Sequence, residues 1–356
     1  MHQPIRDLMT DKFHEFYDGN SYVLGKNVRE FEKQYAGFCG VDHCVGVASG
    51  LDALVLCLKA LDIGQGDEVI VPSHTFFATW LAVSTVGATP IPVEPRINTC
   101  NLNPELLSDA ITNRTKAILP VHLYGQPCEM ESILMVANKH NIHVIEDNAH
   151  AQGATYRGQV TGSLGIINAT SFYPGKNIGA LGDAGAVTTR TNELATRVAM
   201  LRNYGSSVKY YHEEKGVNSR LDEIQAGFLS IKLKFLKKWN EERRAIAQKY
   251  HERLKGVGDI NIPDEINESK SVYHIYMIRT SRRNELKLHL LKSNVDTLIH
   301  YPVPPHLQIA YSDLGFRKGD FAIAEEISNT CLSLPIYPGL SDEAIDFITD
   351  AIGRFY

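Results

Sequence analysis

The chain has 356 residues, 44 % hydrophobic and 22 % charged, and Lys+Arg 36 against Asp+Glu 41 leaves a formal net charge of −5 at pH 7. That length supports one large or two medium domains with real cores, and a mildly acidic balance argues against a nucleic-acid binder, whose domains are usually strongly basic. No apolar run approaches the ~20 residues of a membrane span, "MHQPIRDLMTDKFHEFYDG" has neither the apolar core nor the cleavage site of a signal peptide, and six cysteines scattered without CxxC spacing point away from zinc and toward a reduced cytoplasm.

From residue 45 onward, short apolar runs alternate with longer helical patterns. The runs are "VGVAS" (45–49), "DEVIVPS" (67–73), "TPIPVEP" (89–95), "KAILPVHLYG" (116–125), "HVIEDNAH" (143–150), "ATSFYP" (169–174) and "AGAVTTR" (184–190). Between the first five, segments near 51–62, 75–86, 103–112 and 128–140 hold apolar residues at three- and four-residue spacing, the signature of helices. Strands alternating with helices predict βαβ crossovers and a mostly parallel sheet covered on both faces. The last two runs are joined by a glycine-rich loop alone, which leaves room for one antiparallel strand. Residues 220–254 contain almost no helix breaker and read as one long helix or two abutting ones. Beyond it lie a strand-like "VYHIYMIRT" (272–280), a helix near 283–293, the apolar "VDTLIHYPVP" (295–304) and a final amphipathic helix near 341–354. The expected architecture is a large α/β domain with a seven-stranded, mostly parallel sheet (1–235) and a small C-terminal α+β domain (236–356).

In open α/β sheets, ligands sit where strands end and loops lead into helices. Three such loops stand out. In "VASGLDAL" a strand ends at Ser49-Gly50 and a helix begins at once, which makes either an anion site or only a capped tight turn. In "VIEDNAHAQGA", Asp147 closes an apolar strand, where burial should raise its pKa unless a cation or donor faces it. A catalytic acid, a cofactor partner, a metal ligand or a capped helix start would all fit there, although one Asp beside one His is weak support for a metal. In "SFYPGKNIGALGDAGAV", Lys176 sits among glycines and apolar residues, just after Ser171 and Tyr173. An amine in such a setting has its pKa pushed down and can act as a nucleophile.

Taken together, these loops meet the needs of one cofactor. Pyridoxal phosphate requires a lysine for a Schiff base, a carboxylate for its pyridine nitrogen and an anion cup for its phosphate. Lys176, Asp147 and the Ser49–Gly50 helix start supply them in the order expected of the aspartate-aminotransferase fold, fold type I. Phe76 in "PSHTFFATW" offers a ring to sandwich the pyridine, although Phe76 or Phe77 could equally belong to the core.

The motifs "SGLDAL", "SFYPGKNIGALGD", "VHLYGQP", "NSRLDEIQA" and "HYPVPPH" make the chain resemble, over nearly its full length, the DegT-type sugar-nucleotide aminotransferases. The likeness is strongest to the branch that aminates C3 of dTDP-3-keto-6-deoxyhexoses. The resemblance implies that Asp147 pairs with the pyridine nitrogen and Phe76 stacks on the ring. It also implies that Gly50, Leu51 and Ser171 hold the phosphate, with Asn218 reaching it from a partner subunit in a homodimer with shared sites. His150 is the implied cofactor contact near Asp147. In the family a Gln often stands there with His two residues on, and here His150 and Gln152 exchange those places, leaving Gln152 as the alternative. His122, Tyr124, Tyr173, His300 and Tyr301 become candidate sugar contacts, and Arg220 an anion contact for glutamate carboxylate or pyrophosphate. Family members commonly read Gly-Asp-Gly-Gly after the lysine, whereas Ala184 stands third here. If that position needed a positive φ, Ala would cost energy.

Relatives that dehydrate sugars at C3 carry His in place of this lysine. With Lys176 present, the implied activity is transfer of an amino group from L-glutamate to a dTDP-linked ketosugar. Its product is a dTDP-3-amino-3,6-dideoxyhexose, galacto or gluco, for a surface polysaccharide such as an O-antigen or for a glycosylated natural product. Two other functions are compatible with the fold: amination of a 4-keto sugar nucleotide or a cyclitol ketone, and a non-catalytic regulatory role. The Lys176–Asp147 pair disfavours the regulatory reading, since a retired site need not keep a buried lysine.

Overall fold

Runs such as "EVIVP" and "GAVTT" have no polar face to give to water, so they must be covered on both sides. In the computed structural model, which describes residues 3–356, they do so within one central sheet. It begins with β1 (His43–Val47), β2 (Glu68–Pro72), β3 (Thr89–Val93), β4 (Thr115–Ile118) and β5 (His143–Asp147). A small hairpin, β6 (Thr155–Tyr156) and β7 (Gln159–Val160), precedes β8 (Ile167–Ser171) and β9 (Gly185–Thr189), which complete it. The order across the sheet is β1-β9-β8-β5-β4-β2-β3, and β9 runs antiparallel to both of its neighbours. Every residue of β2 and β9 is buried. Helices Gly50–Ala60, Phe77–Thr85 and Met130–His140 fill crossovers where the periodicity places them.

This topology positions the site. Strands β1, β2, β5 and β8 all end at one edge of the sheet, which brings Ser49, the His74–Phe76 turn, Asp147 and Ser171 to a common side. Because β9 is antiparallel and starts from the same edge, the loop between β8 and β9 must turn there, and it carries Lys176.

Two helices precede β1, and the strand–helix alternation does not announce them. The first is Arg6–Asp18; the second, Lys26–Cys39, buries Val28, Phe31, Tyr35, Ala36 and Cys39. The segment expected after Arg220 is one unbroken helix, Glu223–Leu254, which passes straight through position 235. Its early residues Leu229 and Leu236 share a core with Phe31 and Tyr35, whereas Ile246, Tyr250 and Leu254 belong to a second core. That second core is built on helix Asp342–Gly353 and on β11 (Tyr276–Arg279) paired with β12 (Cys331–Leu334), whereas β10 (Ser269–Lys270) extends the β6–β7 hairpin. All six cysteines are buried and unpaired. Among the described residues, no helix is long and apolar enough to cross a membrane.

Candidate active site

The loop that carries Lys176 is rich in glycine and nonetheless packed. Phe172, Ile178, Ala180 and Ala184 turn inward against Phe31 and Tyr35, and the Phe172 ring meets Tyr35 and Phe31 edge-on at 5.1 and 5.4 Å. The Lys176 N–H donates to the Tyr173 carbonyl, the Ala180 N–H to that of Phe172, and the Phe172 N–H to that of Ala184, each at 2.8 Å. Gly179 lets the chain fold this tightly: a Cβ there would lie 2.7 Å from the Pro174 carbonyl carbon. Ala184 does not take a positive φ. Its methyl is buried in the same core, so the strain anticipated at this position is absent.

Lys176 opens onto a cavity of about 1310 Å³ lined by both parts of the chain. From the sheet edge come Gly50, Leu51, Phe76, Asp147, His150, Ser171 and Tyr173; from the C-terminal part come His274, His300, Tyr301 and Ser333. Ser49 caps helix Gly50–Ala60, its hydroxyl accepting from the Asp52 N–H at 3.1 Å. The first N–H groups of any helix lack intrahelical acceptors, and here those belong to Gly50 and Leu51. A Cβ on Gly50 would come within 2.5 Å of the Ser171 Cβ. Glycine therefore lets the helix start close against the Ser171 side chain, gathering N–H donors and a hydroxyl in one cradle.

The electrostatics of the cavity follow from burial. Desolvation pulls the Lys176 amine down to about 8, opposed by the negative charge of Asp147. Burial pushes the Asp147 carboxyl up, and it is held back by the Ala149 N–H, the Thr79 hydroxyl and the charge of Lys176. The Thr79 hydroxyl donates to Asp147 Oδ2 at 3.0 Å and the Ala149 N–H to Oδ1 at 3.1 Å. His150 is pushed well below the ordinary imidazole range by burial, reinforced by Lys176 and His300. Its Nδ1 accepts from the Tyr124 N–H at 3.3 Å, so a neutral ring carries its proton on Nε2. His274 lies 4.6 Å from His150, ring centre to ring centre, and is likewise kept neutral, first by burial. The Asn177 amide donates to Asn240 and to the Val272 carbonyl, which leaves its oxygen to accept from His274 Nδ1 at 3.1 Å.

Four of the expected residues are not brought to this cavity. His122 is fully buried behind the sheet edge, with Nε2 on Glu146 at 2.7 Å and Nδ1 accepting from the Cys128 N–H at 3.0 Å, so it has no face to offer a sugar. Tyr124 is also buried, with its hydroxyl on the carbonyl of His300. Asn218 is exposed, paired through its backbone with Asn203. Arg220 donates to Asn203 at 3.2 Å and lies over the Tyr204 ring. Between the two alternatives near Asp147, His150 lines the cavity, while the Gln152 amide donates to the Ala149 and Ser171 carbonyls behind it. Sequence reasoning passed over Thr79, Asn177 and His274. Only His274 left a signal, an imidazole in the middle of the otherwise apolar "VYHIYMI".

Comparison with known proteins gives a consistent picture. A profile of the DegT/DnrJ/EryC1/StrS aminotransferase family matches residues 4–353. A dTDP-3-amino-3,6-dideoxy-alpha-D-galactopyranose transaminase from Aneurinibacillus thermoaerophilus is 51 % identical over 94 % of this chain and 91 % of its own. A dTDP-3-amino-3,4,6-trideoxy-alpha-D-glucose transaminase from Streptomyces venezuelae is 50 % identical over 94 % of this chain and 88 % of its own. Among solved structures, S. venezuelae DesV in complex with a ketimine intermediate superposes with a TM-score of 0.98 at 47 % identity, covering 99 % of this chain and 95 % of that one.

Proposed function

The chain belongs to the DegT/DnrJ/EryC1/StrS aminotransferase family, and from that premise we propose that it transfers an amino group from L-glutamate to C3 of a dTDP-3-keto-6-deoxyhexose, with pyridoxal phosphate as the carrier. The observation that carries this reading is one cavity holding a lysine of lowered basicity, a buried carboxylate and an anion cradle at three strand ends of one sheet edge.

The residues present fit the cofactor. Gly50, Leu51 and Ser171 would hold its phosphate, Asp147 would hold a proton on its ring nitrogen, Phe76 would cover the ring and His150 would donate from Nε2. When bound, pyridoxal phosphate supplies a carbon that takes up the amino group and a ring that accepts the electrons freed at the donor carbon. Lys176 Nζ is the amine that would hold the cofactor, and the same nitrogen, when free, would take the proton from the glutamate α-carbon and later deliver one at sugar C3. Thr79 and the Ala149 N–H keep the Asp147 carboxylate oriented throughout. Tyr173, His300 and Tyr301, which line the same cavity, would meet the sugar.

The substrate's anionic groups point to a partner subunit. Among the described residues lining the cavity, Lys176 is the one lysine or arginine, whereas glutamate and a nucleotide diphosphate bring several negative charges. Exposed Asn218 and half-buried Arg220 lie outside their own cavity, two residues apart. In a homodimer, each protomer would lend them to its partner, Asn218 to the phosphate and Arg220 to a substrate anion. Exposed Leu181, in the loop that carries Lys176, suits such an interface. We divide the chain at 235/236 within the long helix, and place the enzyme in the cytoplasm, supplying amino sugars for a surface polysaccharide or a glycosylated natural product.

The test is to load the protein with pyridoxal phosphate, add glutamate, and then add each C4 epimer of the dTDP-linked 3-keto sugar. Visible absorbance should appear on loading, bleach with glutamate and return with the ketosugar, faster for one epimer. A loaded protein that glutamate does not bleach would overturn the reading.

A further inference from the structure

His300 and Tyr301 stand on the C-terminal wall of the cavity, where Tyr301 faces Phe76 of the sheet edge with ring centres 5.4 Å apart. The segment that carries them belongs to no strand, and its nearest ladder contact is the single bridge between Leu298 and Ser333. What holds it is a set of side chains around His300. Its ring Nδ1 lies 2.8 Å from Ser333 Oγ, and its carbonyl oxygen accepts from the Tyr124 hydroxyl and faces Cys331 Sγ at 3.6 Å.

The contact to Tyr124 is the end of a longer chain whose direction the chemistry fixes. A carbonyl only accepts, so Tyr124 must donate its hydroxyl proton to His300. The Tyr124 oxygen is then an acceptor, and His74 Nε2, 2.9 Å away, must be the donor. A neutral His74 protonated on Nε2 has a bare Nδ1, which accepts from the Ser328 hydroxyl at 3.3 Å. His74 stays neutral because burial holds it down to about 4. The order is therefore Ser328 to His74 to Tyr124 to the His300 carbonyl, with each hydrogen used once.

The chain of bonds crosses between parts of the molecule. His74 and Tyr124 follow β2 and β4 of the large sheet, whereas Ser328 lies on helix Ala322–Thr330 of the C-terminal part. That helix is itself tied to the sheet, since Glu94 accepts from the Ile323 and Ala324 N–H groups at 2.8 and 3.1 Å and from the Ser73 hydroxyl at 2.7 Å. His74, Tyr124 and Ser328 are 1 %, 6 % and 1 % exposed. Three apolar side chains would fill that space without the desolvation cost. A fully satisfied buried network, by contrast, holds its members in a single geometry.

We propose that Ser328, His74 and Tyr124 form a positioning relay that fixes where His300 and Tyr301 meet the sugar. The relay touches no substrate and sets the geometry of the second half-reaction only. It rests on the transaminase reading given above.

The experiment measures the two half-reactions separately on the loaded enzyme, by absorbance, for wild type, Tyr124→Phe, Ser328→Ala and the double variant. Loss of one relay bond should raise the ketosugar KM about five- to tenfold, with an effect on the glutamate half-reaction several-fold smaller. The double variant should be no worse than Tyr124→Phe, because one break already opens the relay. His74→Leu should share the defect, and His74→Gln, whose amide can still donate toward Tyr124, should recover part of it. A crystal structure of Tyr124→Phe gives a readout independent of activity: the His300–Tyr301 segment should shift or take up alternate conformers. An unmoved segment, an unchanged ketosugar KM, or equal losses in both half-reactions would overturn the relay. If Tyr124→Phe does not fold, Ser328→Ala decides by the same criteria. A wild-type enzyme inert to glutamate overturns the transaminase reading instead, and the structure of the variant still judges the relay.

Discussion

Lys176 and Lys232 make an instructive pair. Burial lowers both amines from 10.5 to about 8, and the two are structurally linked: Lys232, in the middle of the long helix, donates to the Gly179 carbonyl at 2.5 Å, in the loop that carries Lys176. Their surroundings differ. Lys176 faces a cavity and feels the charge of Asp147, whereas Lys232 is fully buried, with that carbonyl as its partner. Reduced basicity thus reports desolvation at either position. Chemistry requires in addition an open space for a ligand and a group placed to share its protons.

The largest expected effect follows directly. Lys176→Ala should lower turnover by more than about a thousandfold, while Lys232→Met should keep turnover within several-fold of wild type. Borohydride reduction of the loaded enzyme should fix the cofactor to the peptide containing Lys176 alone. A label on Lys232, or wild-type turnover in Lys176→Ala, would break the distinction between them.

The next effect tests the carboxylate that separates the two lysines. Asp147→Asn should slow both half-reactions by about a hundredfold. It should also change how the cofactor-free protein takes up pyridoxal phosphate. Attack needs the unprotonated amine, so the uptake rate should rise with pH through about 8 in the wild type. The negative charge of Asp147 favours the ammonium form, so its removal lowers the Lys176 value further and moves that rise to lower pH. A rise at unchanged pH in the variant would mean that Asp147 does not act on Lys176.

Much of this contrast was legible in the sequence, for physical reasons that also mark where reading stops. Strands covered on both faces must be continuously apolar, so all seven strands of the large sheet could be picked out, and the parallel topology then named the edge where Ser49, Asp147 and Ser171 meet. Residues that reach the cavity merely by lying at that edge could be named from the sequence, among them Gly50, Lys176 and His150. Which way a side chain turns from the edge is decided by partners distant in sequence. His122 and Tyr124 lie in a loop as promising as the others, yet Glu146 takes the first and the His300 carbonyl the second. Helix Arg6–Asp18 escaped for another reason: its Leu8, Met9, Phe13, Phe16 and Tyr17 do fall at helical spacing, but it stands before the first strand, outside the strand–helix alternation, and only Met9 of it is buried. Ala184 looked like a strained substitute because relatives commonly carry glycine there. Its methyl proves to be core, beside Phe172 and Ala180.

The smallest effect is the most specific to Lys232. With a folded value near 8 against an ordinary 10.5, the unfolded chain binds a proton between those limits that the folded chain does not. Stability conferred on wild type by this group therefore rises with pH across the window, and below about 8 the folded state carries the full cost of a buried ammonium. Lys232→Met removes that cost and, at every pH alike, leaves the Gly179 carbonyl without its donor. The stability difference between variant and wild type should then be most favourable to the variant near neutral pH and shrink by on the order of 1 kcal/mol as pH approaches about 10. Denaturant titrations at several pH values would show it. On the proposed reading Lys176 would not produce the same signature in the loaded enzyme, because there its nitrogen would be bound to the cofactor. A pH-independent difference for Lys232→Met would mean that Lys232 keeps an ordinary basicity despite its burial, and that lowered basicity belongs to the cavity lysine alone.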